Sequence, residues 1–261
     1  MRDLFTMWGN TRMVVLTAIC ASLYAAILIP FKVIPLIPGV TEFRPANAVP
    51  IVCSLMFGPA AAWGSGFGNF IGDFFGGMGP GSLFGFLGNF FYGLIPYKLW
   101  GALSSREPVP RGPLSWLLLA YVILLSSTVC GVTIGWGLNL LGFLPFSVLA
   151  SIIVTNNSVV ALVLSPLLLR ALYPRVKGSG LHYTDLLEGR ALSAGRARLW
   201  GVLLLSLGAF GGLAWGELIS LGTVKLRLIQ ELGMTTATGA FDVGLGMLPA
   251  IALIVLGLAL L

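Results

Sequence analysis

Charged residues are scarce in this sequence. Of its 261 residues, 15 are Lys or Arg and 9 are Asp or Glu, so that 9% are charged, against about 25% in soluble globular domains. Since 57% of the residues are hydrophobic and the mean hydropathy is +0.97, the chain cannot cover its surface with polar groups in water. The composition excludes a soluble enzyme, a disordered chain and a nucleic-acid-binding domain, and it predicts an integral membrane protein.

The side chains that usually hold metals or form disulfides are also rare. The chain has one histidine, His182, and three cysteines that lie in apolar stretches without a C-x-x-C motif. The G-x-x-x-x-G-K-[ST] motif that cradles nucleotide phosphates does not occur in the sequence. We therefore expect no metal, no cofactor and no catalytic residues, and a protein that is not an enzyme.

Long apolar runs predict that the chain crosses the membrane as helices. A spanning helix needs about 20 mostly apolar residues, whereas a spanning strand alternates apolar and polar residues over about ten positions. We expect the second and third segments, which are short, to be tilted or partly re-entrant. Eight segments are predicted, namely 13–31, 47–62, 63–75, 82–100, 114–134, 146–169, 199–220 and 243–261.

The distribution of Lys and Arg predicts the orientation, because cytoplasmic loops carry an excess of basic residues. With eight spans, one side holds eleven basic residues, among them Arg2, Lys98 and Arg198, and the other side holds four. Both termini of this multi-pass protein are thus predicted to be cytoplasmic, in the plasma membrane. The loop 32–45 and the Gly-rich bend 76–81 then open together on the outer face.

Polar residues inside the predicted helices favour a binding site, although each also has a purely structural interpretation. Gly64, Gly68, Gly72 and Gly76 recur every four residues and predict close helix packing. Asp73 follows Asn69 by one helical turn, and it either faces a cavity or is a helix-end carboxylate wetted from outside. Asn89, Tyr92, Asn156 and Asn157 are polar groups at depth, which could form interhelical hydrogen bonds or line a pocket.

One stretch of the chain resembles a known family. A Phe-Arg-Pro-Ala-Asn segment at 43–47, a short helix that ends in Phe-Gly-Pro at 57–59, and the run Gly-Asn-Phe-Ile-Gly-Asp at 68–73 follow the first helix in order. A Gly-Pro-Gly-Ser bend then precedes the fourth helix. This order of parts over about residues 13–172 is similar to the substrate-binding S-component of energy-coupling factor (ECF) vitamin transporters.

The resemblance implies an all-α fold with a six-helix S-component-like core, to which this chain adds a C-terminal two-helix hairpin. We divide the chain into a substrate-binding membrane core, 1–172, a basic cytoplasmic linker, 173–198, and an additional transmembrane hairpin, 199–261. The role of the hairpin stays open. The implied mechanism is capture of a substrate from outside beneath the loop 32–45. A T-component and two ATPase subunits then reorient the protein in the membrane. These subunits and membrane lipid are its expected partners.

The family places its substrate site toward the outer face, between the first outer loop and helices four to six. By position this implicates Glu42, Arg44, Asn47, Asn89, Tyr92, Asn156 and Asn157, and Asp73 is added on physical grounds. In the family a small-xxx-small face on the first helix contacts the T-component. Ala21 and Ala25 match this face here, with Ala18 and Ser22 as offset variants.

The polar site and its predicted aromatic neighbours, Phe43, Phe86, Phe90, Phe91 and Trp136, favour a ring-bearing vitamin or a nucleobase-like precursor. Riboflavin, a queuosine precursor, a thiamin precursor and cobalamin all stay open. The alternative function is a stand-alone transporter driven by protons or sodium, with Asp73 as the coupling carboxylate. A membrane protein with a structural role and no ligand is the third class considered.

Overall fold

The computed structural model describes residues 1–31, 35–37, 41–42, 44–187, 196–224 and 240–261. The described chain is helical apart from a short antiparallel pair of strands, β1 (Pro35–Ile37) and β2 (Thr41–Glu42). Single 3-10 turns at Met7–Gly9 and Pro45–Asn47 precede α2 and α3, and a π-helical turn, Leu207–Gly211, joins α9 to α10. The helices are α1 (Asp3–Thr6), α2 (Thr11–Phe31), α3 (Ala48–Phe57), α4 (Pro59–Gly76), α5 (Gly81–Leu103), α6 (Pro113–Leu140), α7 (Phe146–Gly178), α8 (Tyr183–Leu186), α9 (Arg196–Ser206), α10 (Gly212–Ser220), α11 (Ala240–Gly246) and α12 (Leu248–Leu260).

The architecture is that of an all-α membrane protein. Among the described residues, four segments are long and apolar enough to cross a membrane: Thr11–Phe31, Pro113–Leu140, Phe146–Leu186 and Ala197–Ser220. Helices α4 and α5 have 18 and 23 residues but are interrupted by glycine and polar residues, while α12 has 13. The predicted class is therefore confirmed, and the predicted number of eight spans stays a prediction.

The break between the second and third segments lies earlier than predicted. The predicted segment bounds placed it between residues 62 and 63, whereas α3 ends at Phe57 and α4 begins at Pro59, which is where the Phe-Gly-Pro motif marked the end of a short helix. Gly58 makes the break because its φ is +57°, which side-chain-bearing residues rarely adopt. With 10 residues, α3 rises about 15 Å, half of the roughly 30 Å hydrocarbon core. It therefore cannot cross the membrane alone.

The sixth segment is longer than the sequence predicted. It was expected to end at 169, with a polar linker from 173, but α7 continues through Pro166 and Pro174 to Gly178. Within the predicted linker, the structure describes α8, which packs against α2. The Asn10 side chain donates to the Leu186 carbonyl at 3.0 Å, and His182 is 5% exposed. The division of the chain into a core, a linker and a hairpin stays a prediction.

Glycines allow α2 and α4 to pack with their backbones in near contact. A Cβ on Gly68 would lie 2.8 Å from the Ala21 carbonyl oxygen, and a Cβ on Gly64 would collide with Cys20. In lipid the hydrophobic effect does not drive helices together, because the lipid tails are as apolar as the side chains. Close approach of the backbones instead stabilises the helix pair through van der Waals contacts. The glycine spacing read from the sequence therefore marks a packing seam inside this chain.

The C-terminal helices pack on α6 and α7. The Trp136 indole N–H donates to the Gly244 carbonyl at 3.0 Å, and the Tyr121 and Ser206 hydroxyls are 2.6 Å apart. Near the α6–α7 connection, the end of the bundle where Trp136 also lies, the Ser151 hydroxyl donates to Glu217 Oε1 at 2.7 Å. These bonds join the described part of the hairpin to the core between the level of Tyr121 and the α6–α7 connection.

Candidate functional site

A cavity of about 260 Å³ opens where α4 ends and α5 begins. It lies among the end of α4, the bend before α5, the last turns of α6 and the first half of α7. On one side its walls are aliphatic, with Ile134, Leu138, Leu149, Ile152 and Ile153. The polar side chains that line it are Arg44, Asn69, Asp73, Ser82, Asn156 and Asn157.

The α4 wall of the cavity is a hydrogen-bonded amide and carboxylate. Asn69 Nδ2 donates to Asp73 Oδ2 at 3.2 Å, and Asn69 itself is 3% exposed. Gly85 of α5 leaves the room that this pair occupies, since a Cβ there would lie 2.9 Å from Asn69 Nδ2 and 3.4 Å from Asp73 Oδ2. The carboxylate is thereby fixed at the cavity wall, where it can accept hydrogen bonds from a ligand.

A second pair of amides joins the start of α3 to the middle of α7. Asn47 Nδ2 donates to Asn157 Oδ1 at 2.7 Å, and both side chains are buried. The Tyr92 hydroxyl donates to the Asn47 carbonyl at 3.0 Å. Of these three residues, only Asn157 lines the cavity. Asn47 and Tyr92 lie behind it and hold Asn157 in place.

Asn89 lies in the interior next to α2. Its Oδ1 accepts a hydrogen bond from the Tyr24 hydroxyl at 2.8 Å, and its Nδ2 donates to the Gly85 carbonyl at 2.9 Å. It is 3% exposed and is not among the described residues that line the cavity. Its side chain therefore ties α2 to α5 beneath the site.

The structure thus separates the predicted site residues into two sets. Arg44, Asp73, Asn156 and Asn157 line the cavity, whereas Asn47, Asn89 and Tyr92 form the layer behind it. The side chain of Glu42 lies outside the described part of the chain. Sequence reasoning had paired Asn69 with Asp73 but did not include Asn69 or Ser82 in the site. The i, i+4 spacing to Asp73 was the signal that could have added Asn69.

The aromatic residues expected around the site lie mostly elsewhere. Phe86 and Phe90 belong to a cluster with Trp63 and Phe67 on the other face of α4 and α5. Phe143 is the aromatic side chain found among the described lining residues. Phe43 lies outside the described residues. The cavity therefore presents an aliphatic wall to a ligand rather than an aromatic one.

The four predicted partner-contact residues point in different directions. Ala21 and Ala25 are 6% and 4% exposed and face the interior of the bundle, where Ala21 meets Gly64 and Gly68 of α4. Ala18 and Ser22 are exposed on the opposite side of α2. Of the four residues, Ala18 and Ser22 are thus the ones on the outer surface of the helix bundle.

These features define a class: a helical membrane protein that has, at one end of its bundle, a small cavity lined by both polar and aliphatic side chains. Among the described residues no three His, Cys, Asp or Glu side chains lie close enough to hold a metal ion. A family model described as QueT transporter matches residues 14–174, more than half of the chain. The chain therefore belongs to the QueT transporter family, a family of ECF S-components. No curated protein and no solved structure matches it.

The family match confirms the resemblance found in the sequence. The predicted extent, 13–172, agrees with the matched residues, 14–174. The match ends within α7, so that the C-terminal hairpin lies beyond it. A multi-pass membrane protein with a role in transport is thereby established, whereas the predicted orientation of the termini stays a prediction.

Proposed function

We propose that this chain captures a nucleobase-like precursor at the outer face of the plasma membrane and delivers it with an ECF T-component and two ATPase subunits. The observation that carries the proposal is the cavity between α4 and α7, which combines amide, carboxylate and guanidinium groups with an aliphatic wall. Family membership supports this role.

The size of the cavity favours a small ring over a large cofactor. Its volume is about 260 Å³, below the roughly 300–1,000 Å³ that is usual for drug-sized ligands. A queuosine precursor of nucleobase size suits this volume better than riboflavin or cobalamin. Among the substrates that the sequence left open, the volume favours the two small precursors, and the family favours the queuosine precursor over the thiamin precursor.

The chemistry of the lining matches the edge of a heterocyclic base. Asn156 and Asn157 offer amides that can both donate and accept, Asp73 accepts, and Arg44 donates. Ile152 and Ile153 offer apolar surface for the flat face of a ring. A few convergent polar groups on an otherwise apolar pocket give orientation and specificity to a small ligand.

The energy for transport has to come from partners in this proposal. The sequence has no P-loop motif, and among the described residues that line the cavity the acidic side chain available for ion coupling is Asp73. Membership of an S-component family favours ATPase-driven uptake over the stand-alone alternative. We expect the T-component to contact the exposed face of α2 that carries Ala18 and Ser22.

The test is ligand binding by the detergent-solubilised full-length chain. Small molecules that copurify are identified by mass spectrometry, and the affinity for a queuosine-precursor base is measured by calorimetry. Asn156→Ala removes an amide, and Asp73→Asn removes the negative charge and replaces one acceptor oxygen by a donor, so each should weaken binding by about 1–3 kcal/mol, roughly 5- to 150-fold in Kd. Asn10→Ala, an asparagine change at the opposite end of the bundle, is the matched control and should bind normally.

Wild-type affinity in both cavity variants would contradict the assignment of the site. Uptake in cells that lack an ECF ATPase would contradict the proposed energy source, and it would favour the proton- or sodium-coupled alternative if Asp73→Asn also abolished it. A copurifying ligand of another chemical class would replace the proposed substrate without moving the site.

A further inference from the structure

A larger cavity lies at the opposite end of the bundle. It has a volume of about 940 Å³ and lies between α1, the end of α5, α8 and the start of α9. Among the described residues that line it are three basic side chains, Arg2, Lys98 and Arg198, and one acidic side chain, Asp3, which also lies 3.3 Å from the Met1 amine. This is the end that the distribution of Lys and Arg predicts to be cytoplasmic.

The carboxylate is already neutralised by a basic group within the protein. Lys98 Nζ lies 2.8 Å from Asp3 Oδ1, and its side chain is 2% exposed. The Tyr97 hydroxyl donates to the other carboxylate oxygen at 2.8 Å. Asp3 is therefore occupied by Lys98 and Tyr97, and it does not neutralise the positive charges of Arg2 and Arg198.

Arg198 lacks an acceptor for one of its donors. Its Nη1 atom is enclosed, and the part of the chain that the structure describes offers it no hydrogen-bond partner. An enclosed charged donor without an acceptor is costly. A guanidinium in this state is suited to an anionic oxygen ligand, which can accept two parallel N–H bonds.

Exposed aromatic side chains lie on both sides of the cavity. In the N-terminal segment, Phe5 is 69% exposed and Trp8 is 43% exposed. At the start of α9, Trp200 is 60% exposed. Exposed tryptophan and phenylalanine beside the end of an apolar helix are typical of the membrane–water interface.

We propose that this cavity binds the phosphate of an anionic phospholipid. Arg198 and Arg2 would bind the phosphate oxygens, and the Lys98–Asp3 ion pair would form part of the cavity wall. The acyl chains would extend along the apolar surface next to α9. The site is distinct from the substrate cavity, and it would fix the N-terminal segment and the start of the hairpin to one leaflet. A lipid is favoured over a soluble anion because the cavity is flanked by interfacial aromatic side chains.

The experiment is native mass spectrometry of the full-length chain with added palmitoyl-oleoyl phosphatidylglycerol or phosphatidylcholine. We expect phosphatidylglycerol to bind more tightly, and Arg198→Gln and Arg2→Gln each to weaken it by about fivefold. Arg111→Gln is the matched control, because Arg111 is an exposed arginine paired with Glu107 at 3.4 Å outside the cavity. It should bind phosphatidylglycerol like the wild type.

A thermal melt shows whether each of the variants Arg198→Gln and Arg2→Gln has folded. If one of them does not fold, the other still tests the proposal. Equal binding of the two lipids, or equal loss in Arg111→Gln, would overturn the proposal. Displacement of the lipid by millimolar inorganic phosphate would also overturn it, since the ligand would then be a soluble anion. Retention of the lipid in phosphate, with loss in the two cavity variants alone, would support it.

Discussion

At the scale of single residues, the ion pair between Asp3 and Lys98 shows how a charge is kept inside this apolar chain. Burial alone would raise the pKa of the Asp3 carboxyl. The hydrogen bond and charge of Lys98, together with the Tyr97 hydroxyl, outweigh this effect and hold the pKa below its ordinary value of 3.8. The sequence placed both residues on one side of the membrane, but only folding brings them together.

Removing this carboxylate should destabilise the protein in a pH-dependent way. Because the pKa is lower in the folded state, the pair contributes its full stability above pH 3.8, and the contribution is lost as the pH falls through the lowered value. We expect Asp3→Asn to cost about 1–3 kcal/mol at pH 7, less than the 3–5 kcal/mol of a fully buried pair, since Asp3 is 19% exposed.

Thermal unfolding in detergent at pH 7, 5 and 3 measures this difference. The two proteins should unfold at distinct temperatures at pH 7, and the difference should become smaller at pH 3, below the ordinary pKa of 3.8. Asp185→Asn serves as the control, because Asp185 pairs with Lys177 at 2.6 Å on the surface, where such pairs contribute little. An Asp3→Asn melt that matches the wild type at pH 7 would contradict the stabilising role.

At the scale of elements, the junction at Gly58 determines how α3 and α4 fit into the bundle. The Gly-Pro pair was visible in the sequence, yet the apolar run through residue 62 obscured where the helix ends. Two features decide the break: the φ of +57° at Gly58 and the Tyr183 ring, which lies 2.7 Å from where a Cβ would be. The second comes from a residue 125 positions later in the sequence.

Gly58→Ala should therefore destabilise the protein through two separable effects. The backbone conformation costs about 1–3 kcal/mol for a residue with a Cβ, and the contact with the Tyr183 ring adds to this. In the double variant Gly58→Ala with Tyr183→Ala the contact is relieved and the backbone cost remains. The loss of stability should then be smaller than the sum of the two single changes.

Melting temperatures of the three variants give the coupling. Gly211→Ala is the control, since it lies within a helix and has no atom within 4 Å of the added Cβ. It should leave the stability unchanged or raise it slightly. A Gly58→Ala protein as stable as Gly211→Ala would show that the junction does not require glycine.

At the scale of the whole molecule, the described part of the hairpin packs against the core. Its contacts with α6 and α7 include Ser220 Oγ, which lies 3.1 Å from Ser147 Oγ and accepts the Ser147 backbone N–H at 3.1 Å. The described residues that line the cavity between α4 and α7 lie before α8. The part of the hairpin that the structure describes thus packs behind the α7 wall of this cavity.

A disulfide can test this packing. In Ser147→Cys with Ser220→Cys the sulfur atoms would replace hydroxyls 3.1 Å apart, close enough to form a bond after small side-chain rotations. Oxidation should give an intramolecular disulfide, detected by peptide mass spectrometry, because the three native cysteines are buried. The control pair, Ser147→Cys with Ser206→Cys, should not react, because Ser206 lies 14 residues before Ser220, roughly 21 Å along the helix. A missing bond in the first pair would contradict the packing.

The sequence alone determined that this chain is an α-helical membrane protein, because a run of apolar residues is a local property that decides whether a segment is stable in lipid. It also indicated an S-component family, because the order of short motifs along the chain can be compared without a structure. It also identified Arg44, Asp73, Asn156 and Asn157, which line the cavity. Only the tertiary structure decided that Asn47, Asn89 and Tyr92 support the cavity from behind. The physical reason is that an amide buried in a membrane protein needs a hydrogen-bond partner within the protein. Which partner it has depends on how helices that are distant in the sequence pack together.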